Sequence, residues 1–246
     1  MRILLVNPNM TQSMTDKMAE IARQIADGRA EIVPITAPSG FPYIASRAEA
    51  QIAGAIALEM IADNLHDIDA VIIAAFGDPS LAGARELFDV PVVGMAEAAV
   101  MTAAMLGERF SIVTFSPVMT RWYTDCVSDT GLASRFTGVR TPKTHLSDVA
   151  NAARDVRADL VALARRAVAD DGADVVILGG APLAGLATEI SADVPAVVID
   201  PIAAAVAQAI ALASLGSRFA DRACKPIAKT SSGLSAALAA VIAQGA

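Results

Sequence analysis

The chain has 246 residues and a formal net charge of −7, and 54% of its residues are hydrophobic although only 4% are aromatic. It lacks the clustered Lys and Arg that phosphate binding requires, so we expect no nucleic acid partner and favour a small molecule. Its apolar runs have strand length and none approaches a membrane span, which predicts an α/β class with no transmembrane helix. The first residues enter a predicted strand without the pattern of a signal peptide, which predicts a cytoplasmic location.

The cysteines and histidines are few and widely spaced. Cys126 and Cys224 stand far apart, and the two histidines are His66 and His145. No spacing typical of a zinc site occurs, so we predict neither a metal site nor a structural disulfide. The two histidines are expected on the surface and the two cysteines as inert thiols.

Apolar runs alternate with amphipathic stretches along the whole chain. The predicted elements are, in order, strand 2–7, helix 15–27, strand 31–36, helix 46–65, strand 70–75, helix 81–88, strand 92–94, helix 96–106, strand 111–115, helix 120–128, a loop near Pro142, helix 149–170, strand 175–178, helix 183–190, strand 196–199, helix 202–215 and a tail helix 234–244. Strands separated by helices predict mostly parallel sheets.

An internal repeat divides the chain into two related halves. Residues 69–84, DAVIIAAFGDPSLAGA, align with residues 174–187, DVVILGGAPLAGLA, and each segment is followed by Asp-Val-Pro. Ala75 and Gly180 are equivalent in this alignment, and each lies where a strand ends and a helix approaches. Parallel α/β sheets bind ligands beyond the carboxyl ends of their strands. We therefore predict that loops 75–79 and 180–182 face one cleft, and that this cleft is the functional site.

Short polar side chains follow two predicted central strands. Asn7, Asn9 and Thr11 come after the first strand, where such residues either hold a carboxylate or amide of a ligand or form an Asx turn and helix cap. Thr114 and Ser116 end another central strand, and their hydroxyls either bind substrate or cap a helix.

The glycine-rich loop of the second half offers exposed backbone amides. Its residues Gly179, Gly180, Ala181 and Pro182 form either an anion-binding or oxyanion-stabilising loop or a plain tight turn between strand and helix. In the first half the matching loop contains Phe76 and Gly77, and Gly77 is expected where the backbone must approach closely.

Charged residues near the cleft also have two interpretations each. Asp78 either caps the following helix or acts in the site, and Glu97 opens a helix whose dipole alone favours an acid. Arg47 either binds a substrate carboxylate or forms a surface ion pair. The candidate proton carriers are Asp78, Glu97, Tyr43 and Ser116; the candidate binding residues are Asn7, Asn9, Thr11, Arg47, Ala75, Phe76, Gly77, Thr114 and Gly179 to Pro182.

Five motifs occur once each along the chain, in this order: NPN-x-T from residue 7, AFGDP-x-L with ARE from residue 75, PV-x-G-x-x-EAA from residue 91, VTF from residue 113, and LG-x-A from residue 178. With these motifs the chain resembles the aspartate/glutamate/hydantoin racemase superfamily, most closely its hydantoin and allantoin racemase branch, over residues 1–215. The resemblance implies two pseudo-symmetric Rossmann-like lobes with the active-site cleft between them. It also implies no cofactor, and a substrate held between two cysteines, one removing the α-proton and the other supplying a proton.

The chain departs from that pattern at both cysteines. By the motifs, the two cysteine positions are Ala75 and Gly180, which carry no acid or base, so two-thiol racemisation is not expected. Three functions remain open. The first is an enzyme of the superfamily that acts on a small carboxylate or cyclic amide through other groups, and the second is a hydrolase or decarboxylase-type lyase in the same cleft. The third is a binding protein without catalysis.

The lobe boundaries follow from the repeat. We expect residues 1–105 with the tail 216–246 to form the first lobe and residues 106–215 the second. A closed homo-oligomer is the expected state, as for most enzymes of this size.

Overall fold

The structure is a computed structural model that describes residues 1–143, 149, 152–216 and 225–244. His145 and Cys224 lie outside these ranges. The elements are β1 (Arg2–Asn7), α1 (Gln12–Ala26), β2 (Glu31–Thr36), α2 (Arg47–Asn64), β3 (Ala70–Ile73), α3 (Leu81–Leu87), β4 (Val92–Gly94), α4 (Met95–Leu106), β5 (Phe110–Thr114), α5 (Thr120–Asp129), β6 (Phe136–Arg140), α6 (Ala152–Asp155), α7 (Arg157–Asp171), β7 (Val175–Gly179), α8 (Leu186–Ile190), β8 (Val197–Ile199), α9 (Pro201–Ser214) and α10 (Ala236–Gln244).

Two four-stranded parallel sheets with the same strand order form the framework. The first has the order β2-β1-β3-β4 and the second the order β6-β5-β7-β8. Strands β3 and β7, which carry the sequence repeat, therefore occupy equivalent places in the two sheets. The predicted α/β fold with two pseudo-symmetric lobes is confirmed, and the carboxyl ends of β3 and β7 lead into the two loops of the predicted cleft.

The central strands are buried on both faces. Every residue of β3, β5 and β7 is buried, which explains their continuous runs of Val and Ile. Helices α4 and α9 pack against each other, and each contacts strands of both sheets. One hydrophobic cluster contains Ile72 of the first sheet and Ile177 of the second, so the two lobes share a core.

Local signals explain where the helices that flank the cleft begin. Ser46 precedes α2 and its hydroxyl accepts from the Glu49 amide at 3.2 Å, while the Glu49 carboxylate accepts from the Ala45 amide. This reciprocal arrangement is a variant of the capping box, in which the carboxylate accepts from the residue before the N-cap instead of from the N-cap amide. It holds the start of α2, and with it Arg47, beside the cleft.

Three predicted elements differ from the structure. The segment before Pro142 was predicted as loop, but it contains β6, the edge strand of the second sheet. A single glycine, Gly138, and half-buried side chains throughout weaken its strand pattern. The predicted helix 149–170 is interrupted at Val156, which has φ −117° and ψ 20° and separates α6 from α7. The predicted helix 183–190 is shorter, because a 3₁₀ turn at Ala181–Leu183 precedes α8.

The last two helices, α9 and α10, contact elements of the first lobe. Helix α9, which the repeat assigned to the second lobe, packs against α1 and α4 and contacts β3 and β4 as well as β7. Helix α10 packs against α2. Chain order alone therefore does not separate the lobes at residue 215, and α9 lies in the layer between them.

Candidate functional site

A small cavity lies between the two loops that follow β3 and β7. Its volume is about 20 Å³, which is room for about one water molecule. Its lining comes from both lobes and consists of Asn9, Tyr43, Ile44, Ala75, Phe76, Trp122, Tyr123, Gly180 and Ala181. The two positions that the repeat made equivalent, Ala75 and Gly180, thus line the same cavity.

Asn9 is held in one orientation by a network at the end of β1. Its backbone amide donates to Oδ1 of Asn7 at 3.1 Å, and its own Oδ1 accepts from Nδ2 of Asn7 at 3.1 Å and from the Thr11 amide at 2.9 Å. Asn7 also donates to Oγ1 of Thr15 at 2.9 Å. The predicted Asx turn is present, and it orients the Asn9 side chain at the cavity wall. Asn7 and Thr11 lie behind that wall, and the Thr11 hydroxyl donates to the Pro42 carbonyl at 2.6 Å.

Hydroxyl groups from both lobes lie in or next to the cavity wall, that of Tyr43 from the first lobe and those of Tyr123 and Thr114 from the second. Tyr123 packs edge to face on Phe76, with ring centroids 4.6 Å apart, and its burial raises the pKa of its hydroxyl well above the usual value. Burial also raises the pKa of Tyr43. Within the described residues, Oη of Tyr43 and Oγ1 of Thr114 are buried and make no hydrogen bond of normal geometry, although both lie close enough to the Tyr123 hydroxyl to affect its pKa. Because a buried unpaired hydroxyl costs free energy, these two atoms indicate a place for a polar ligand or water.

Gly180 has a backbone conformation that favours glycine. Its φ is 120° and its ψ is 137°, and a Cβ atom there would lie 2.9 Å from Cε1 of Phe115 and 3.6 Å from Oη of Tyr123. A side chain at this position therefore meets both backbone strain and a packed ring. The neighbouring Pro182 carbonyl accepts from Nζ of Lys17 on α1 at 3.2 Å, so the first lobe also holds this loop.

Asp78 caps α4. Its Oδ1 accepts from the Ala96 amide at 2.8 Å and its Oδ2 accepts from the Glu97 amide at 2.7 Å. Burial raises the pKa of Asp78 to about 7, although these two amides oppose the shift. Both carboxylate oxygens are thus engaged at a helix start, outside the lining of the small cavity. The predicted cap on the following helix, α3, is therefore wrong, because the carboxylate binds the first turn of α4 instead and α3 has no side-chain cap.

The other charged candidates are paired. Glu97 accepts from Nη1 of Arg85 at 3.0 Å and also from Nη2, a bidentate ion pair. Arg47 forms an ion pair with Asp125 and also donates to the Arg121 carbonyl at 3.4 Å, which joins the start of α2 to α5. Of the two interpretations of Arg47, a substrate-binding residue or a partner in an ion pair, the structure shows the ion pair.

A second and larger cavity adjoins the first. Its volume is about 650 Å³, and it is called the outer cavity below. Its wall is formed by Arg47, Ala50, Gln51, Gly77 to Gly83, Arg85, Glu97, Trp122, Asp125, Cys126, Asp129 and Thr130. The Cys126 thiol has its pKa raised to about 12 by burial first and by nearby carboxylates second, so it is not a nucleophile at neutral pH.

Sequence reasoning located most of the small cavity but missed its aromatic wall. Six predicted residues line it: Asn9, Tyr43, Ala75, Phe76, Gly180 and Ala181. Gly77, Asp78, Glu97 and Arg47 line the outer cavity instead. Thr114, Ser116, Gly179 and Pro182 lie behind these walls, and Ser116 precedes a 3₁₀ turn that its side chain does not cap. Trp122 and Tyr123 were missed, although an adjacent aromatic pair is a signal in a chain with only 4% aromatic residues.

Two further structural facts bear on the class of protein. The described residues hold no group of three or more His, Cys, Asp or Glu side chains placed to bind a metal ion. In the same part of the chain, no helix combines the length and apolar character that crossing a membrane requires.

Two pseudo-symmetric parallel sheets with a cavity between their equivalent loops define a two-lobed α/β protein with its candidate site between the lobes. The sequence profile of the Asp/Glu/Hydantoin racemase family matches residues 3–209. The chain therefore belongs to the Asp/Glu/hydantoin racemase family.

Individual relatives cover nearly the whole chain. The hydantoin racemase of Pseudomonas sp. (strain NS671) is 33% identical over 222 residues, which are 89% of this chain and 88% of that protein. The solved structure of allantoin racemase from Klebsiella pneumoniae has a TM-score of 0.89 at 30% identity and covers 96% of this chain and 98% of that one. The allantoin racemase structure from Pseudomonas fluorescens has a TM-score of 0.88 at 33% identity, covering 95% and 100%.

Proposed function

We propose that this protein is a cofactor-independent enzyme that forms and protonates a carbanion next to a carbonyl group, on a small carboxylate or a hydantoin-like cyclic amide, without a pair of thiols. The observation that carries the proposal is the composition of the small cavity. It is lined from both lobes by one fixed amide, Asn9, and by two tyrosines, while Ala75 and Gly180 face it where the family resemblance implies cysteines. The names of the relatives supply the substrate class.

The tyrosines are suited to donate protons rather than to remove them. Burial raises the pKa of both Tyr43 and Tyr123, so both hydroxyls are protonated at neutral pH. A protonated phenol donates a hydrogen bond to an oxygen on which negative charge develops, and this lowers the barrier to forming an enolate. Oη of Tyr43 makes no hydrogen bond of normal geometry and lies near the Tyr123 hydroxyl, so the two phenols are placed to donate to the same oxygen.

Asn9 has a complementary role in the proposal. Its Oδ1 is occupied by Asn7 and by the Thr11 amide, while its Nδ2 contacts only the sulfur of Met14 at 3.8 Å, a weak acceptor. The Asn9 amide group is therefore available to donate to a substrate carboxylate or ring carbonyl. Because Asn7 and the Thr11 amide fix its orientation, little entropy is lost when a ligand binds.

Decarboxylation is the second candidate, and the absence of a base from the lining of the small cavity favours it. Racemisation requires a group that accepts the α-proton, and among the described residues no side chain in the lining is an acceptor of that kind at neutral pH. In decarboxylation the bond between the α-carbon and the carboxylate breaks, CO₂ leaves, and the electron pair delocalises onto the neighbouring carbonyl. A tyrosine hydroxyl then protonates the carbon, and water returns the proton to the tyrosine. This reaction needs donors but no protein base.

One experiment separates these reactions. Purified protein is incubated in D₂O with enantiopure 5-substituted hydantoins and, in parallel, with substituted malonates. The α-deuterium content, the configuration and the released CO₂ are then measured. Deuterium exchange with inversion identifies a racemase, and CO₂ release with one deuterium incorporated identifies a decarboxylase. Ring-opened product identifies a hydrolase and contradicts the carbanion proposal.

Variants connect the reaction to the cavity. Tyr43→Phe is expected to lower kcat by about 10²-fold, since it removes one donor aimed at the developing charge. Ser128→Ala, on the exposed side of α5, is the control and is expected to leave kcat unchanged. If ligands stabilise the protein against heat but no product of any kind appears, the protein binds its ligand without catalysis and the proposal is wrong.

The location of the protein in the cell and its oligomeric state are also proposals. We propose that the enzyme works in the cytoplasm as a closed homo-oligomer, the usual state of enzymes of this size. Sedimentation velocity of the purified chain tests the second statement, and a single species at the mass of one chain contradicts it.

A further inference from the structure

Among the residues that the structure describes, Trp122 alone lines both the small cavity and the outer cavity. It lies in α5 of the second lobe, and its side chain reaches across to the loop after β3. A Cβ atom on Gly77 would lie 2.2 Å from Cζ2 of Trp122, so the indole rests directly on the Gly77 backbone. The indole is therefore the partition between a space of about 20 Å³ and a space of about 650 Å³.

The small cavity does not hold a substrate ring with its walls in these positions. It has room for about one water molecule, and a cyclic diamide is several times larger. A wall must therefore move when a ligand enters. The Tyr123 ring is packed on Phe76, and Gly180 is backed by Phe115. Trp122 differs from these residues because open volume lies on its other side.

We propose that the outer cavity receives the substituent of the substrate, and that Trp122 sets how large this substituent is. The proposal rests on the function proposed above, in which the reacting ring or carboxylate lies between Ala75 and Gly180. On binding, the indole turns toward the outer cavity and the substituent passes beside it. A cavity of this volume is in the range that holds small-molecule ligands.

The charges of the outer cavity define the chemistry of the substituent. Its wall carries four carboxylates and two guanidinium groups: Asp78, Glu97, Asp125 and Asp129, with Arg47 and Arg85. Arg85 pairs with Glu97, and Arg47 pairs with Asp125. Asp129, together with Asp78 in its ionised form, leaves acidic groups in excess, which disfavours an anionic substituent by like-charge repulsion. The substituent is therefore neutral or cationic.

The experiment uses a series of hydantoins that carry no substituent, a methyl, an isopropyl or a benzyl group at carbon 5, with carboxymethyl and aminoethyl analogues. Kd is measured by calorimetry for the wild type, for Trp122→Phe and for Val127→Ala. Val127 is buried on the same helix but lines neither cavity, so its variant controls for disturbed packing of α5. Trp122 is the only tryptophan of the chain, so its fluorescence reports ligand entry in the wild type.

The expected result is a change in selectivity. Trp122→Phe shifts the ratio of benzyl to unsubstituted affinity by about tenfold in favour of benzyl, because the smaller ring widens the passage. Val127→Ala leaves the ratio unchanged. The wild type binds the aminoethyl analogue more tightly than the carboxymethyl analogue, and its tryptophan emission changes on binding.

Two contrary results are distinguishable. If ligands bind but the ratio is the same in Trp122→Phe as in the wild type, or the tryptophan emission is unaffected, the role of Trp122 is refuted while the proposed function stands. If no member of the series binds any of the three proteins, the proposed substrate class is wrong and the inference fails with it.

Discussion

The Asp78 carboxylate lies directly against the backbone of Gly94, and a Cβ atom at residue 94 would be only 2.4 Å from Cγ of Asp78. The carboxylate can reach the first turn of α4 because residue 94 is glycine. Asp78 follows β3, and Gly94 ends β4, the next strand of the same sheet. The contact fastens the loop that follows Ala75 to the helix that lies between the lobes. Burying the ionised Asp78 carboxylate costs free energy, and because the carboxyl is ionised only at higher pH, this cost depends on pH.

The stability of the protein is expected to depend on pH through Asp78. Its pKa is about 7 in the folded protein against an ordinary value of 3.8, so between these values the folded protein binds more protons than the unfolded chain. The contribution of Asp78 to stability is therefore complete at low pH and is lost as pH rises toward 7. Relative to Asp78→Asn, which does not titrate, the wild type should lose on the order of a few kcal/mol over this window.

Urea unfolding of both proteins at about pH 5.5 and about pH 8 measures the upper part of this loss. Asp171 provides a control without pH dependence in this range, because a hydrogen bond from Arg140 lowers its pKa below the ordinary value of 3.8. Replacing Asp171 by Asn should therefore cost the same stability at both pH values, since the Asp171 carboxylate is ionised in the folded and the unfolded protein alike. A free-energy difference between wild type and Asp78→Asn that is constant across this range contradicts the assignment.

Gly180 is expected to tolerate no side chain, which bears on restoring a thiol to the site. Gly180→Ala should cost about 3 kcal/mol or more, because it combines a strained φ of 120° with a Cβ position 2.9 Å from Phe115. Gly131 is a matched control, since its φ of 75° is also positive but nothing lies within 4 Å of a Cβ placed there. Gly131→Ala should therefore cost about 1 kcal/mol. Equal costs in urea unfolding are inconsistent with the packing argument.

The hydroxyl of Thr114, which makes no hydrogen bond of normal geometry, is expected to contribute little to stability. Thr114→Val should leave the free energy of unfolding unchanged or raise it by about 1 kcal/mol, because only a poorly aligned contact with the Tyr123 hydroxyl is lost and a strand favours valine. Thr15 is the comparison, since it is equally buried but its Oγ1 contacts Asn7 at 2.9 Å and Thr36 at 2.6 Å. Thr15→Val should cost about 1–3 kcal/mol. A marked loss in Thr114→Val would reveal a protein partner for its hydroxyl.

The assignment of the C-terminal tail to the first lobe stays a prediction that one substitution tests. Leu238 of α10 is 4% exposed and belongs to the cluster that contains Leu4 and Phe88. Leu238→Ala should destabilise the protein by about 2–5 kcal/mol without changing ligand affinity, since both cavities lie elsewhere. Ile227, which is 83% exposed, is the control, and Ile227→Ala should have no effect. Unaltered stability in Leu238→Ala would show that the tail does not dock.

Much of the fold follows from the local pattern of apolar residues, and strand β6, which was not predicted, lacks that pattern. Strands β1, β2 and β4 begin and end where the sequence predicts, because apolar runs of fixed length are sufficient to define a buried strand. Strand β6 escaped prediction, because an edge strand with half-buried side chains and a glycine has no such run. The repeat itself contains the missing information, since β6 occupies the place in the second sheet that β2 occupies in the first.

The sequence by itself determined that two equivalent positions, Ala75 and Gly180, follow equivalent strands, and that neither carries a thiol. That these positions line one cavity was decided by the docking of the two sheets around α4 and α9. Tertiary structure also decided the partners of Asp78 and Glu97, and it brought Trp122 and Tyr123 from α5 to the cavity wall. The physical reason is distance along the chain. A strand or a helix cap depends on neighbours a few residues away, whereas a cavity wall depends on side chains that only the packed core brings together.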